Sequence, residues 1–359
     1  MDIAQARTSS SGVMDGFFHE LLDTLGRITW VVTDPHNRTY WLYTLLTLPL
    51  AIVVLWWTRA VETGGRRLDL RHALSTLFAR AVWLHPSAIT DYWCYVINAI
   101  LATILKATGL LSGVLTSFFL YAGLLQITGG DPLSLSPVPS LLVIYTLFSL
   151  LWIDLGKYVG HRLQHRIPLL WEFHKVHHSA QVLTIMTQFR VHPFDFIFAD
   201  FVNGLFLGAS GAMGLWAFGS NVQPISILGL NVGVFLFYAL GANLRHSHVW
   251  LPYPAWLSRI LMSPAQHQIH HSSLPQHHDA NFGVLFGIWD WLFGTLYVPE
   301  GRERVEFGLV DGEDHDYQSI DHLYFVPFRK IWARLVGRNS SPRGSARAEA
   351  LQTERQRRS

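Results

Sequence analysis

Long apolar runs, separated by shorter polar and basic stretches, organise this chain. Residues 41–57, 138–154, 194–219 and 225–242 each come close to the about 20 apolar residues that a helix needs to cross a bilayer, and each reads as a spanning helix. A fifth stretch, 92–127, is too long for one helix and is interrupted by Lys106. It reads either as one span followed by an interfacial helix or as two spans. Backbone groups inside a bilayer must be satisfied within the segment, so helical spans are the form these runs should take. The pattern therefore predicts an all-α polytopic membrane protein with four to six transmembrane helices.

Charge placement suggests an orientation. Five Lys/Arg lie between Lys157 and Arg190 and many more between Arg245 and Arg358, whereas 129–137 and 220–224 carry none. Positive residues collect on the cytoplasmic side, so 157–192 and 243–300 are expected to form a cytoplasmic helical cap. The stretch 194–242 becomes a hairpin that leaves the cytoplasm and returns. The division expected is an N-terminal segment (1–40), a membrane domain (41–300) and a cytoplasmic C-terminal region (301–359), disordered from about 339, where the sequence turns basic and low in complexity.

Composition agrees with this reading and excludes others. Half of the 359 residues are hydrophobic and only 14% are charged, against about 25% in soluble domains. A net charge of +2 gives no footprint for a nucleic-acid partner. The single cysteine, Cys94, cannot build a disulfide framework or an all-thiolate metal site. The polar start of the chain lacks the pattern of a removable signal peptide. A GxGxxG after a strand, a P-loop and a GxSxG elbow are absent from the sequence, so neither a nucleotide fold nor a serine nucleophile is indicated.

Histidine is the outlier. Of 19, 13 fall between 161 and 278, and eight form three boxes: HRLQH (161–165), HKVHH (174–178) and HQIHH (267–271). His161 and His165 are four apart; His174, His177 and His178, and again His267, His270 and His271, fall at i, i+3 and i+4. On a helix such residues share one face. Neutral imidazole ligates iron, copper and zinc. A structural zinc site closes with four ligands, so eight imply two metals, or one metal with generous surrounding support. The ligands differ from the Glu and Glu-x-x-His set of ferritin-like di-iron bundles. Iron is the preferred metal, with copper and zinc as alternatives.

These motifs resemble the fatty acid hydroxylase/sterol desaturase superfamily of integral-membrane di-iron oxygenases. FHKVHHSAQ, FRVHP (189–193), HQIHHSS, NFG (281–283) and WDWLFGTLY (289–297) follow in that family's order, and LHPSAITDYW (84–93) resembles its upstream segment. The resemblance covers roughly residues 80–300. It implies two non-haem Fe ions, O2 as co-substrate, and a lipid substrate oxidised at a C–H bond by hydroxylation or desaturation. Electrons would come from an external donor, a ferredoxin or a cytochrome b5-type protein with its reductase. It also implies that His161, His165, His174, His177, His178, His267, His270 and His271 are the catalytic metal ligands, with His246 of RHSHV as a ninth.

Several residues stand nearby with less defined roles. His248, two positions from His246, should face elsewhere on a helix. His192 precedes Pro193, which suggests the start of a span, and His192 could orient a ligand or contact substrate. His278 and Asp279 could support the ligands from outside, Asp279 as an acceptor for an imidazole N–H or simply as a helix cap. Asp154 and Asp195, at the ends of spans, could accept in the same way. Two readings from other classes compete with the oxygenase: a membrane metal carrier, and a non-catalytic metal-bound lipid sensor. A carrier would line its spans with ligands, whereas here the boxes lie at the ends of spans.

Overall fold

The computed structural model describes residues 32–64, 69–106, 113–309 and 313–337, together with Gly26 and Thr29. The tail expected to be disordered, and most of the N-terminal segment, lie outside the described residues. The architecture is helical. In chain order the principal helices are α1 (Trp41–Thr63), α2 (Leu70–Leu77), α3 (Pro86–Lys106), α4 (Val114–Ile127), α5 (Pro139–Arg166), α6 (Pro168–His178), α7 (Pro193–Phe218), α8 (Val232–Ala239), α9 (Pro264–His270) and α10 (Ile320–Leu335).

Three described helices, α1, α5 and α7, are long and apolar enough to cross a membrane, and α4 is apolar but shorter. The expectation of a further span at 225–242 is corrected. Its first residues form a two-stranded antiparallel hairpin, β1 (Ser226–Ile227) and β2 (Leu230–Asn231), and only the eight residues of α8 are helical. The hairpin turns through Leu228 (φ 51°) and Gly229 (φ 80°), both left-handed. Thr146 locks it to α5, its hydroxyl accepting from Ile225 N at 2.9 Å and its carbonyl accepting from Asn231 Nδ2 at 3.1 Å. Hydropathy alone cannot distinguish this apolar re-entrant stretch from a span. Over 92–127, the structure places α3 and α4 on either side of residues that are not described.

Small residues let the long helices approach closely, as is usual where lipid removes the hydrophobic drive between helices. A Cβ on Gly113, which has φ +71°, would sit 2.5 Å from the Gly204 carbonyl of α7, and one on Gly156 of α5 would meet the Phe206 ring at 2.6 Å. These contacts seat α7 against both α4 and α5.

Length then positions the chemistry. At 1.5 Å per residue, about 20 residues cross the roughly 30 Å hydrocarbon layer. Helix α5 has 28 residues, so its last two turns, which carry His161 and His165, extend past a span's length. Ile167 caps the next helix in an extended conformation and Pro168 opens it. The chain therefore turns at once into α6, which carries the second box.

Candidate metal centre

Each box is delivered by a different local device. Proline at the first position of α6 starts the helix whose last turn holds His174, His177 and His178. The third box rides on α9, which begins with a capping box: Ser263 Oγ accepts from Gln266 N at 3.2 Å and Gln266 Oε1 accepts from Ser263 N at 2.9 Å, with Pro264 at the first helical position. His246 ends a 3-10 turn (Ala242–His246) that follows left-handed Gly241. Gln268 ties this turn to α9 by donating to Leu244 O at 3.1 Å and Val249 O at 2.9 Å.

The nine expected ligands come together in two groups. His161, His165, His174, His178 and His270 form one, and His177, His246, His267 and His271 the other; within each group one nitrogen per ring lies within 4.8 Å of all the rest. Ligands about 2.1 Å from an ion can be at most about 4.2 Å apart, so both groups have the dimensions of a slightly relaxed coordination shell. The groups adjoin. His178 stacks on His271 with ring centroids 4.6 Å apart and meets His177 edge-on at 5.6 Å.

Nitrogens left without partners test whether metals fit. His165 Nε2, His174 Nε2, His177 Nδ1, His178 Nε2, His267 Nδ1 and His270 Nε2 are buried and without a hydrogen bond. His246 Nε2 faces His267 Nε2 at 3.0 Å and His271 Nε2 at 3.2 Å. Orphaned buried polar atoms are rare and costly, and converging imidazole nitrogens are what a metal's ligand shell supplies. Burial holds His177, His178, His246, His267 and His271 well below the ordinary histidine range, with neighbouring imidazoles adding to the effect. It brings His270 down to about 3. The rings are thus neutral, the form that ligates.

Surrounding groups fix the rings of the five-histidine group. His161 Nδ1 bonds the Phe282 carbonyl at 2.8 Å and His270 Nδ1 the Ala280 carbonyl at 2.9 Å. His174 Nδ1 bonds Asp195 Oδ2 at 3.0 Å, and Asp195 also accepts from Gln164. Donation from Nδ1 fixes the tautomer that leaves Nε2 for a metal. Asp290 holds the NFG loop beneath, accepting from Phe282 N and Gly283 N, each at 2.8 Å, and from the Thr295 hydroxyl at 2.7 Å.

Other expected residues fall elsewhere. Asp195 supports a ligand, but Asp154 instead accepts from Leu285 N, Phe286 N and the Trp289 indole, anchoring the chain just after NFG. His192 caps α7, its Nδ1 accepting from Phe194 N at 3.1 Å, while Nε2 bonds the Tyr324 carbonyl. His248 faces away, onto Thr76 O at 2.9 Å. His278 bonds the Ser273 carbonyl at 3.1 Å. Asp279 is exposed with φ +56°, while the carbonyl of the next residue takes the ligand-supporting place.

One residue whose role the sequence did not reveal is Arg190. Fully buried, it pairs with Asp91 at 3.0 Å and donates to Val176 O, Ser179 Oγ and Tyr317 O. It thereby joins α3, the end of α6 and the chain before α10. The signal was present only as two widely separated motifs, LHPSAITDYW and FRVHP, each holding one charged residue in an apolar setting.

A cavity of about 1000 Å³ opens onto both groups, since its wall includes His161, His174, His177, His246 and His267. Other parts of the wall come from Tyr95 and Ala99 of α3, Gly156 and Gly160 of α5, and Phe196 and Ala199 of α7.

Residues 146–295 match the fatty acid hydroxylase family. The chain is similar to alkylglycerol monooxygenase of Danio rerio, 27% identical over 51% of this chain and 36% of that protein. It is also similar to ornithine lipid hydroxylase OlsE of Rhizobium tropici, 30% identical over 44% and 43%, and to human cholesterol 25-hydroxylase, 28% identical over 45% and 54%. The chain thus spans between about a third and about half the length of these relatives. No solved structure matches. The matched segment contains all nine clustered histidines and the groups that brace three of them, Asp195, Ala280 and Phe282, and it belongs to the fatty acid hydroxylase family.

Proposed function

We propose that this protein is a membrane lipid hydroxylase that uses two iron ions and O2 to oxidise a C–H bond. The observation that carries the reading is the opening of both histidine groups onto one cavity of about 1000 Å³. That is the upper end of the range for small-molecule sites, and it can take an acyl chain. When bound, iron supplies O2 reduction and C–H oxidation. The chain gathers nine imidazoles, fixes the tautomers of His161, His270 and His174 through Phe282, Ala280 and Asp195, and lines part of the site with apolar side chains such as Phe196 and Ala199. The relatives named above are hydroxylases and monooxygenases acting on lipids, which favours hydroxylation over desaturation. The histidine groups are assigned to the cytoplasmic face, because the segments that carry them also carry the Lys/Arg excess. Electrons come from a separate ferredoxin or cytochrome b5-type donor.

The deciding experiment pairs metal analysis with lipid-dependent O2 uptake in detergent-purified protein. About two irons per chain, reduced in His270→Ala, with O2 consumed only when lipid and reductant are both present, is the expected result. Stoichiometric metal without lipid-dependent O2 uptake would favour a carrier or sensor. Folded protein that takes up no metal would overturn the reading.

A further inference from the structure

The cavity wall carries a second polar feature beside the histidines. Arg38, Lys157 and Arg245 all line it, and among the described residues none of the three forms an ion pair. Two acids lie near them without forming an ion pair to any of the three: Asp200 on the same wall, and Asp154, which accepts from the amides of Leu285 and Phe286 while its charge acts on Lys157 and Arg245. Asp195 is taken by His174 and Gln164. Arg245 is 2% exposed, and its Nε is buried without a hydrogen-bond partner, as is Nδ2 of Asn37 on the same wall. Buried donors in this state are expensive unless a ligand or water meets them.

Tyr238 registers the resulting field. Burial pushes its hydroxyl up, yet the charges of Lys157 and Arg38, a hydrogen bond from Arg38 and the charge of Arg245 together hold it below its ordinary value. His177, His246 and His267 of the four-histidine group stand on the same wall as the three cations. Three cations and unpaired donors therefore share the wall of a lipid-sized cavity with members of the four-histidine group.

We infer that this corner, formed by Arg38, Lys157, Arg245 and Asn37, binds an oxyanion, the phosphate or carboxylate of a lipid head group. The inference rests on the reading of the cavity as a lipid site and deepens it in two ways. It selects anionic lipids over neutral ones, and it places the head group beside the metals, so that oxidation falls on carbons a few bonds from the head group rather than deep in the chain. Planar guanidinium forks and an ammonium are the donors that suit such oxygens.

Binding to the purified full chain in a neutral detergent, without reductant, tests this separately from turnover. Dodecyl phosphate is expected to bind at least about tenfold more tightly than monolauroylglycerol, the margin that one charge-assisted hydrogen bond provides. Arg38→Gln and Lys157→Gln should each remove about tenfold of the affinity for dodecyl phosphate while leaving that for monolauroylglycerol unchanged, which also reports an intact fold. Equal affinity for the two lipids, or wild-type dodecyl phosphate affinity in both variants, would overturn the inference. Inorganic phosphate binding as tightly as dodecyl phosphate would reassign the corner to a free anion and overturn the head-group assignment. Since no step needs O2, a binding result in either direction leaves the oxygenase reading to its own test.

Discussion

The two histidine groups have similar dimensions but different surroundings. The five-histidine group is braced from outside: two backbone carbonyls and the Asp195 carboxylate take the Nδ1 atoms of His161, His270 and His174. The four-histidine group mostly bonds to itself, through His246 to His267 and His271. Its Arg38 and Arg245 neighbours are cationic. An anionic support raises a ligand's basicity and fixes its tautomer, while nearby cations oppose a dication. Ions bound by the two groups should therefore differ in affinity, one held tightly by the preorganised five-histidine shell and the other more loosely, facing the proposed anion site.

The largest effects should come from removing ligands. His270→Ala and His177→Ala, one from each group, are both expected to abolish O2-dependent turnover, since the two ions act together. Their metal contents should differ. His177→Ala leaves the braced group complete and keeps about one tightly held ion, whereas His270→Ala strips a ligand from that group and retains less. Equal losses by metal analysis would break the asymmetry, and retained turnover in both variants would remove the site itself.

Asp195→Asn comes next. The amide keeps the shape but loses the charge that supports His174, and loss of such a partner typically weakens metal affinity by about 10- to 100-fold. Chelator competition should show one class of ion weakened and the other nearly unchanged. A uniform shift in both would mean that the groups are not independently supported.

Acid should act more gradually. Burial holds six of the clustered histidines below their ordinary value, His270 at about 3. An unfolded chain takes up protons on these rings as pH falls through about 6.5, but the folded chain does not. Stability contributed by the neutral rings is thus complete above about 6.5 and is lost progressively below it, continuing for His270 down to about 3. Thermal unfolding measured against pH should fall over that window, and the loosely held metal should leave first. Stability independent of pH between 7 and 5 would contradict the burial of these rings.

Much of this centre could be read from the chain because helical periodicity is short-ranged. Spacings of three and four picked out the histidine faces that cluster, and the family resemblance added His246 to them. What could not be read depends on tertiary packing. The stretch 225–242 has a span's hydropathy, but Thr146 draws it into a hairpin. Asp195 and Asp154 looked equivalent at the ends of spans, yet only Asp195 reaches an imidazole. Arg190 and Asp91 lie 99 positions apart, a separation at which no local pattern shows a pair. Backbone carbonyls carry no sequence signature, so the bracing by Phe282 and Ala280 emerges only from the fold.

Asp279 should give the smallest effect and the sharpest check on how the braced group is held. From sequence it was a plausible acceptor for a ligand N–H. In the structure it is exposed at φ +56°, and the neighbouring Ala280 carbonyl bonds His270 Nδ1 at 2.9 Å. What position 279 contributes is therefore a left-handed turn that aims this carbonyl, a role for backbone conformation rather than charge. Asp tolerates that conformation better than Ala, and Gly adopts it freely. Asp279→Gly should then leave stability within about 0.5 kcal/mol of the parent, and Asp279→Ala should cost up to about 1–2 kcal/mol in unfolding stability. Both should keep the full metal content. If Asp279→Gly empties the five-histidine group although its turn is preserved, the carboxylate itself supports a ligand, and the bracing by backbone carbonyls would have to give way to a second acidic support beside Asp195.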